Sequence, residues 1–173
     1  RVRSSAASDV YKRQVNNNNI VWQKDIEGTI SKISVNKNGY TSVIISGTTY
    51  KSVIAVFDKD GKELFKTYLS STIAMDSSIS EDNKYLSFAE INTSGTLIQS
   101  TVKTISMDKA KETPSDSIIY TYDADQNELI VNMKYQDKNR LVCIYNNGVH
   151  VINNNKDELS VSYTHLRAHE TRR

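Results

Sequence analysis

The chain has 173 residues, enough for one domain, with 22 Lys and Arg against 20 Asp and Glu and a formal net charge of +2. One cysteine allows no disulfide within the chain and leaves the redox compartment open. Basic residues are dispersed among acids, which excludes the charged stripe of a nucleic-acid or membrane-surface binder.

Both ends must be set aside before the elements are read. Ser4 to Gln14 (SSAASDVYKRQ) and Val161 to Thr171 (VSYTHLRAHET) resemble translated adapters from a transposon-based sequencing library. Asp9 to Gln14 can be encoded by GAT GTG TAT AAG AGA CAG. The reverse complement of that DNA, in a shifted frame, encodes Val161 to His165, a coincidence unrelated termini would rarely share. Residues 1–14 and 161–173 are therefore read as adapter-derived. Without their seven basic residues and two acids, residues 15–160 hold 15 basic and 18 acidic residues, a net charge of −3. An i, i+4 pair such as His165 and His169 can ligate zinc from a helix, but both lie in the second tail.

In chain order, Asn16 to Asn19 is a polar linker and Ile20 to Asp25 a candidate short strand, which could be the last of a preceding unit. Ile30, Ile33 and Val35 mark a first strand, Asn38-Gly39 a turn, and Tyr40 to Ser46 a second strand. Val53 to Phe57 (VIAVF) is an unbroken, β-branched run too short for a helix, as expected of a strand covered on both faces. Asp60-Gly61 suits the positive φ angles of a tight hairpin, and Glu63 to Tyr68 returns as a fourth strand. The pattern recurs with strands at Ala74 to Ile79, Tyr85 to Asn92, Leu97 to Met107 and Ser117 to Tyr122, the last two separated by a charged loop, Asp108 to Ser115. It begins again with Leu129 to Tyr135, Arg140 to Tyr145, a hairpin at Asn146 to Gly148, and Val149 to Ile152. Aligning the turns pairs Tyr40, Tyr85 and Leu141, at spacings near the length of a propeller blade. No apolar period of 3.6 is sustained, so helix content is expected to be minimal.

Ser80 to Leu86 (SEDNKYL) resembles the turn-and-strand signature of WD-repeat-like and YVTN-like β-propellers. Residues 56–68 (VFDKDGKELFKTY) resemble the hairpin between third and fourth strands there and in quinoprotein-like propellers. The whole of 20–160 is similar to an uncharacterised bacterial family in which one transmembrane helix precedes an extracytoplasmic propeller. The Gly-His and Trp-Asp pairs of true WD repeats are missing, and Trp22 is followed by Gln23, so WD-type partner surfaces do not carry over. The expected fold is all-β: a fragment of a β-propeller built from four-stranded antiparallel meander blades near 29–69, 74–122 and 128–160, about two complete and the rest partial. Tyr40, Phe57, Phe65, Tyr85, Phe88, Tyr120, Tyr135 and Tyr145 are expected to fill space between blades.

Candidate chemistry is sparse. Asp123, Asp125 and Asn127 occupy positions 1, 3 and 5 of an EF-hand-like spacing, but Glu128 replaces the turn glycine and Lys134 the bidentate glutamate. Asp58 and Asp60 are explained by hairpin chemistry. His150, between Val149 and Val151, is expected to face outward or be hydrogen-bonded. Cys143, among Leu141, Val142 and Ile144, reads as a buried inert thiol. No serine stands in a nucleophile elbow and no glycine loop cradles phosphate. No catalytic, cofactor or metal residue is assigned.

The expectation is thus a non-enzymatic scaffold or binding module for a protein or cell-surface ligand, with no nucleic-acid partner and with the remaining blades of its own chain as neighbours. The resemblance implies an extracytoplasmic location, with membrane attachment through an N-terminal anchor in the parent protein. The alternative is the propeller part of an enzyme, a quinoprotein-like oxidoreductase or a hydrolase, whose catalytic residues lie outside this sequence.

Overall fold

A computed structural model describes residues 15–16, 19–95, 98–154 and 161–164. After a short hairpin of β1 (Val15–Asn16) and β2 (Asn19–Ile20), twelve strands form three four-stranded antiparallel meanders. Blade 1 contains β3 (Thr29–Val35), β4 (Thr41–Ser46), β5 (Ser52–Phe57) and β6 (Glu63–Leu69). Blade 2 contains β7 (Thr72–Ile79), β8 (Tyr85–Asn92), β9 (Gln99–Ser106) and β10 (Ile118–Asp123). Blade 3 contains β11 (Ile130–Tyr135), β12 (Arg140–Tyr145), β13 (Val149–Asn153) and β14 (Val161–Thr164). The first strands converge, with β7 touching both β3 and β11. This is the all-β, blade-by-blade build of a propeller segment.

Two apolar seams hold the blades together. Ile44, Ile54 and Val56 of blade 1 meet Leu86, Phe88 and Ile105 of blade 2. Ala89 and Val102 on the opposite face of blade 2 meet Met133, Leu141, Cys143 and Ile152 of blade 3. Strand alternation makes this possible, because neighbouring residues point to opposite faces and each blade can fill two seams. Seven of the eight aromatics fall between described blades as expected, and Phe57 does not: Phe65 and Phe88 are buried in the first seam with Tyr40 packed on it. Tyr135 and Tyr145 are buried in the second, flanked by Tyr85 and Tyr120. Phe57 lies in a third cluster, on the outer face of blade 1.

Several local expectations are corrected. Residues 21–26 form no strand beyond β2; they cross the outer face of blade 1 as an irregular strap, with Trp22 buried and Ile26 packed on the third cluster. The Asp108 to Ser115 stretch, read as a loop, is taken up by α1 (Met107–Glu112) and a 3₁₀ turn (Pro114–Asp116), which overrun it by one residue at each end. Met107 and Ala110 are both buried in the first seam, so tertiary packing carries a helix too short to stand alone.

The hairpin at Asp58 is not the doubly positive-φ type. Only Gly61 is left-handed (φ +81°), and its N–H donates to the Asp58 carbonyl at 3.1 Å. Asn36 with Gly39, and Ser80 with Asn83, repeat this turn at 3.1 Å, with Gly39 at φ +81° and Asn83 at φ +59°. Closing bonds run from Asn36 N–H to Tyr40, Ser80 N–H to Tyr85 and Gln136 N–H to Arg140, all to carbonyls. Arg140, and not Leu141, is therefore the counterpart of Tyr40 and Tyr85. A one-residue slip of this kind moves every side chain to the other face.

The two-sided burial expected for β5 holds, with all six of its residues buried, whereas β12 is covered on one face only. There Leu141, Cys143 and Tyr145 face the second seam, while Ile144 is 44% exposed on the outer face of blade 3. The fourth strand of that blade falls in the segment read as adapter; backbone pairing to an open edge needs only an extended chain, whatever its side chains. Residues 1–14 and 165–173, His165 and His169 among them, lie outside the described residues.

Candidate functional site

The densest polar constellation sits where the first strands converge. Asp76, in the middle of β7, is 3% exposed. Its Oδ1 accepts the Ser77 N–H at 2.8 Å, and its Oδ2 accepts the Met133 N–H of β11 at 2.8 Å. Lys32 Nζ of β3 lies 2.9 Å from the same Oδ2. One carboxylate thus ties all three blades. Its charge is compensated by a cation and two N–H donors, the condition under which burial of a carboxylate is tolerable.

Hydroxyls finish the seams. Ser52 Oγ accepts the Ala74 N–H at 3.0 Å, and Ser100 Oγ accepts the Ile130 N–H at 3.0 Å. These are equivalent bonds, each running from a third strand to the next blade's first strand. Ser78 Oγ accepts the Tyr135 N–H at 3.0 Å, and Ser42 Oγ lies 2.9 Å from Ser77 Oγ. Ser87 Oγ lies 2.7 Å from both Thr104 Oγ1 and the Tyr135 hydroxyl, to which the Asn154 amide also donates. Burial drives the Tyr135 phenol far above its ordinary range despite bonds from Ser87, Thr104 and Asn154.

His150 is 2% exposed in the second seam. Its Nδ1 lies 3.0 Å from the Tyr122 hydroxyl and its Nε2 3.6 Å from Oε1 of buried Glu128, and the Tyr145 ring covers it at 4.3 Å. It is the hydrogen-bonded histidine of the sequence reading. Cys143 is fully buried, and desolvation, then the charge of Asp76, pushes its thiol up to about 12, far from the thiolate a nucleophile needs.

The EF-hand-like residues are taken up by turn geometry. Asp123 accepts the Thr101 hydroxyl at 2.7 Å, the Asp125 carbonyl accepts the Glu128 N–H at 3.1 Å, and Asn127 is left-handed (φ +65°). Lys134 is exposed. Asp58 Oδ1 accepts the N–H groups of Asp60 and Lys62, each at 2.9 Å, and Asp60 pairs with Lys59 at the surface. Asp137 uses the same device on Asn139 and Arg140, both at 2.8 Å. Against the opposing pull of desolvation, those two N–H bonds and the Arg140 guanidinium hold its carboxyl down at about 2.

One open cleft, of about 480 Å³, lies on the outer face of blade 1, beside the strap. Its floor is Ile45, Val53, Ala55 and Phe57, and its charged rim includes Lys24, Glu27 and Lys66. Tyr50 and Tyr68, with ring centroids 4.8 Å apart, stand on one wall. An apolar floor with a polar rim can take an apolar partner surface. Glu63 and Lys66 in its lining pair with each other at 3.2 Å, and no serine, cysteine or histidine is among the lining residues.

The sequence reading missed Asp76, the Glu128 partner of His150, and the Trp22 anchor. Only Asp76 left a signal: a lone carboxylate in an otherwise uncharged strand, TIAMDSSI.

Three meander blades radiating from convergent first strands, with no assembled catalytic set among the described residues, define a segment of β-propeller. By sequence the chain belongs to DUF5711, a family of unknown function, matched over residues 10–171 and so into both end segments. No curated protein matches it. Among solved structures it is similar to Kuenenia stuttgartiensis hydrazine synthase, at 14% identity and a TM-score of 0.62, over 90% of this chain and 47% of that one. It is also similar to Kluyveromyces lactis Hsv2 with loop 6CD replaced by a Gly-Ser linker, at 15% identity and a TM-score of 0.53, over 79% and 44%. Both are β-propellers, and the chain spans about half their length. At such identities the likeness is one of fold.

Proposed function

We propose that the chain is part of a non-enzymatic propeller that serves as a scaffold or binding module for a protein or cell-surface ligand. The observation that carries this reading is the use made of its buried polar groups. Asp76, His150, Ser52, Ser87 and Ser100 all bond to strands or loops across a seam, as positioning groups of a rigid support do. Binding then falls to the exposed turns and clefts, while the blades keep them in place. The net charge of −3 for residues 15–160 favours neither nucleic acid nor an anionic membrane surface. Attachment to the membrane belongs to an anchor in the parent protein, with the propeller outside it and its remaining blades completing the ring.

The test is made on the full-length parent. Asp76→Asn and His150→Gln lower its melting temperature, and neither abolishes a chemical turnover. Hydrolytic or quinone-dependent activity that disappears in either variant while the fold persists would instead establish the enzymatic alternative. A membrane-impermeant amine label applied to intact cells modifies the propeller lysines; protection until lysis refutes the extracytoplasmic placement.

A further inference from the structure

Three Asx-Gly pairs punctuate the described hairpins, and the backbone treats one of them differently. Gly39 and Gly61 donate their N–H groups to the Asn36 and Asp58 carbonyls, both at 3.1 Å. Asn38 is held again through its side chain, which donates to the Glu81 carbonyl at 2.6 Å and to Asn83 Oδ1 at 3.3 Å. Asn147-Gly148 ends the connection between β12 and β13, whose two central turn residues are Asn146 and Asn147. It is closed by one backbone bond, from Tyr145 N–H to the Gly148 carbonyl at 2.8 Å, and the Gly148 N–H has no partner among the described residues. Neither Asn146 nor Asn147 has positive φ, so the tip lacks the primed turn that suits the strand twist of a two-residue hairpin. Asn147 is exposed. Its amide makes a single bond, donating to Oε1 of Glu128 at 3.0 Å.

From this we propose that Asn147 is a site of spontaneous deamidation, and that the reaction unlocks blade 3 from blade 2. The Gly148 nitrogen, unhindered by a Cβ and not engaged as a donor, loses its proton and attacks Cγ of Asn147. The new C–N bond closes a succinimide, the bond from Cγ to Nδ2 breaks, and ammonia leaves with the proton. Water then opens the ring at either carbonyl, giving aspartate or isoaspartate. No oxidant or reductant is needed. The donor that faced Glu128 becomes a carboxylate set against a carboxylate that is 5% exposed. Glu128 also faces His150, and Asp125 N–H donates to its other oxygen at 3.2 Å, so repulsion there loosens the loop that joins the two blades. Like charges pressed together in a desolvated site are strongly unfavourable.

The test is to incubate the purified 173-residue chain at mildly alkaline pH and follow the mass of its tryptic peptides. Asn38 and Asn147 fall on separate peptides, bounded by Lys37, Lys51, Arg140 and Lys156, and fragment ions assign the added mass to Asn147 among the five asparagines of the second. The expected result is conversion at Asn147 about tenfold faster than at Asn38, the equivalent of one to two hydrogen bonds that must break first at Asn38. Equal or faster conversion at Asn38, or none at Asn147, overturns the proposal. Asn147→Asp lowers the melting temperature, and Asn147→Asp combined with Glu128→Gln recovers it. Asn147→Gln keeps an amide, resists conversion and melts near the parent. If Asn147→Asp melts with the parent, the unlocking is refuted even where deamidation occurs.

Discussion

The outer faces of blades 1 and 3 are built from equivalent strands and meet opposite fates. On blade 1, Val43, Ile45, Val53, Ala55 and Phe57 are all buried, because the strap lays Trp22 and Ile26 across them. The Trp22 ring centroid lies 6.1 Å from that of Phe57. Its indole also rests on Gly61, where an added Cβ would come within 2.7 Å of the ring. On blade 3, Val131 is 61% and Ile144 44% exposed. Ile144 is the counterpart of Ile44 and Ala89, which are buried in the two seams. Burial here is decided less by the strand than by what the chain puts next to it.

The largest effect should come from removing the strap's anchor. Trp22→Ala is expected to cost about 3–5 kcal/mol, as for a large aromatic deleted from a packed site, and to expose the blade 1 face to a hydrophobic dye. A melting temperature unchanged by this substitution would show that the strap only rests on the sheet. Next comes the pair of equivalent isoleucines. Ile44→Ala should cost about 2–5 kcal/mol, whereas Ile144→Ala should stay within about 0.5 kcal/mol. Denaturant titration of both variants measures the contrast directly, and equal losses would mean that blade 3 is covered in solution. Its apolar face should also make the isolated chain self-associate, and Ile144→Lys should reduce the apparent mass in sedimentation.

Gly61→Ala comes third, at about 1–2 kcal/mol, since its φ of +81° is costly for any residue with a Cβ. The contact with Trp22 adds to that, so Gly61→Ala in a Trp22→Ala background should be milder than alone. The smallest effect is acid-dependent. Asp137 has its carboxyl lowered from 3.8 to about 2. The stability this contributes is present above 3.8 and is lost as pH falls toward 2. Asp137→Asn should therefore flatten the stability profile in that window by lowering the plateau above it, including neutral pH, and by only a small amount because the group is partly solvated.

The sequence made the fold legible through local terms. Apolar runs such as VIAVF and turn residues such as Asn38-Gly39, Asp60-Gly61 and Ser80 carry their meaning within a few positions. The same locality explains what was missed. Leu141 to Tyr145 looks as apolar as Val53 to Phe57, yet one of its faces is wet, because coverage comes from another part of the chain. The bond from Asp76 to Met133 spans 57 residues, and no local pattern announces it. The helix at Met107–Glu112 was hidden in a charged loop because only Met107 and Ala110 turn inward.

The serine that each third strand offers to the following blade gives the assembly a direction. Ser52 and Ser100 each present an oxygen, and Ala74 and Ile130 each present an amide hydrogen, so the joint works only head to tail. A blade copied or excised whole would carry its own half of the fastening, and a new neighbour would need nothing but an unoccupied backbone N–H. Such modular sheets can change in number while the chemistry of their joints stays the same.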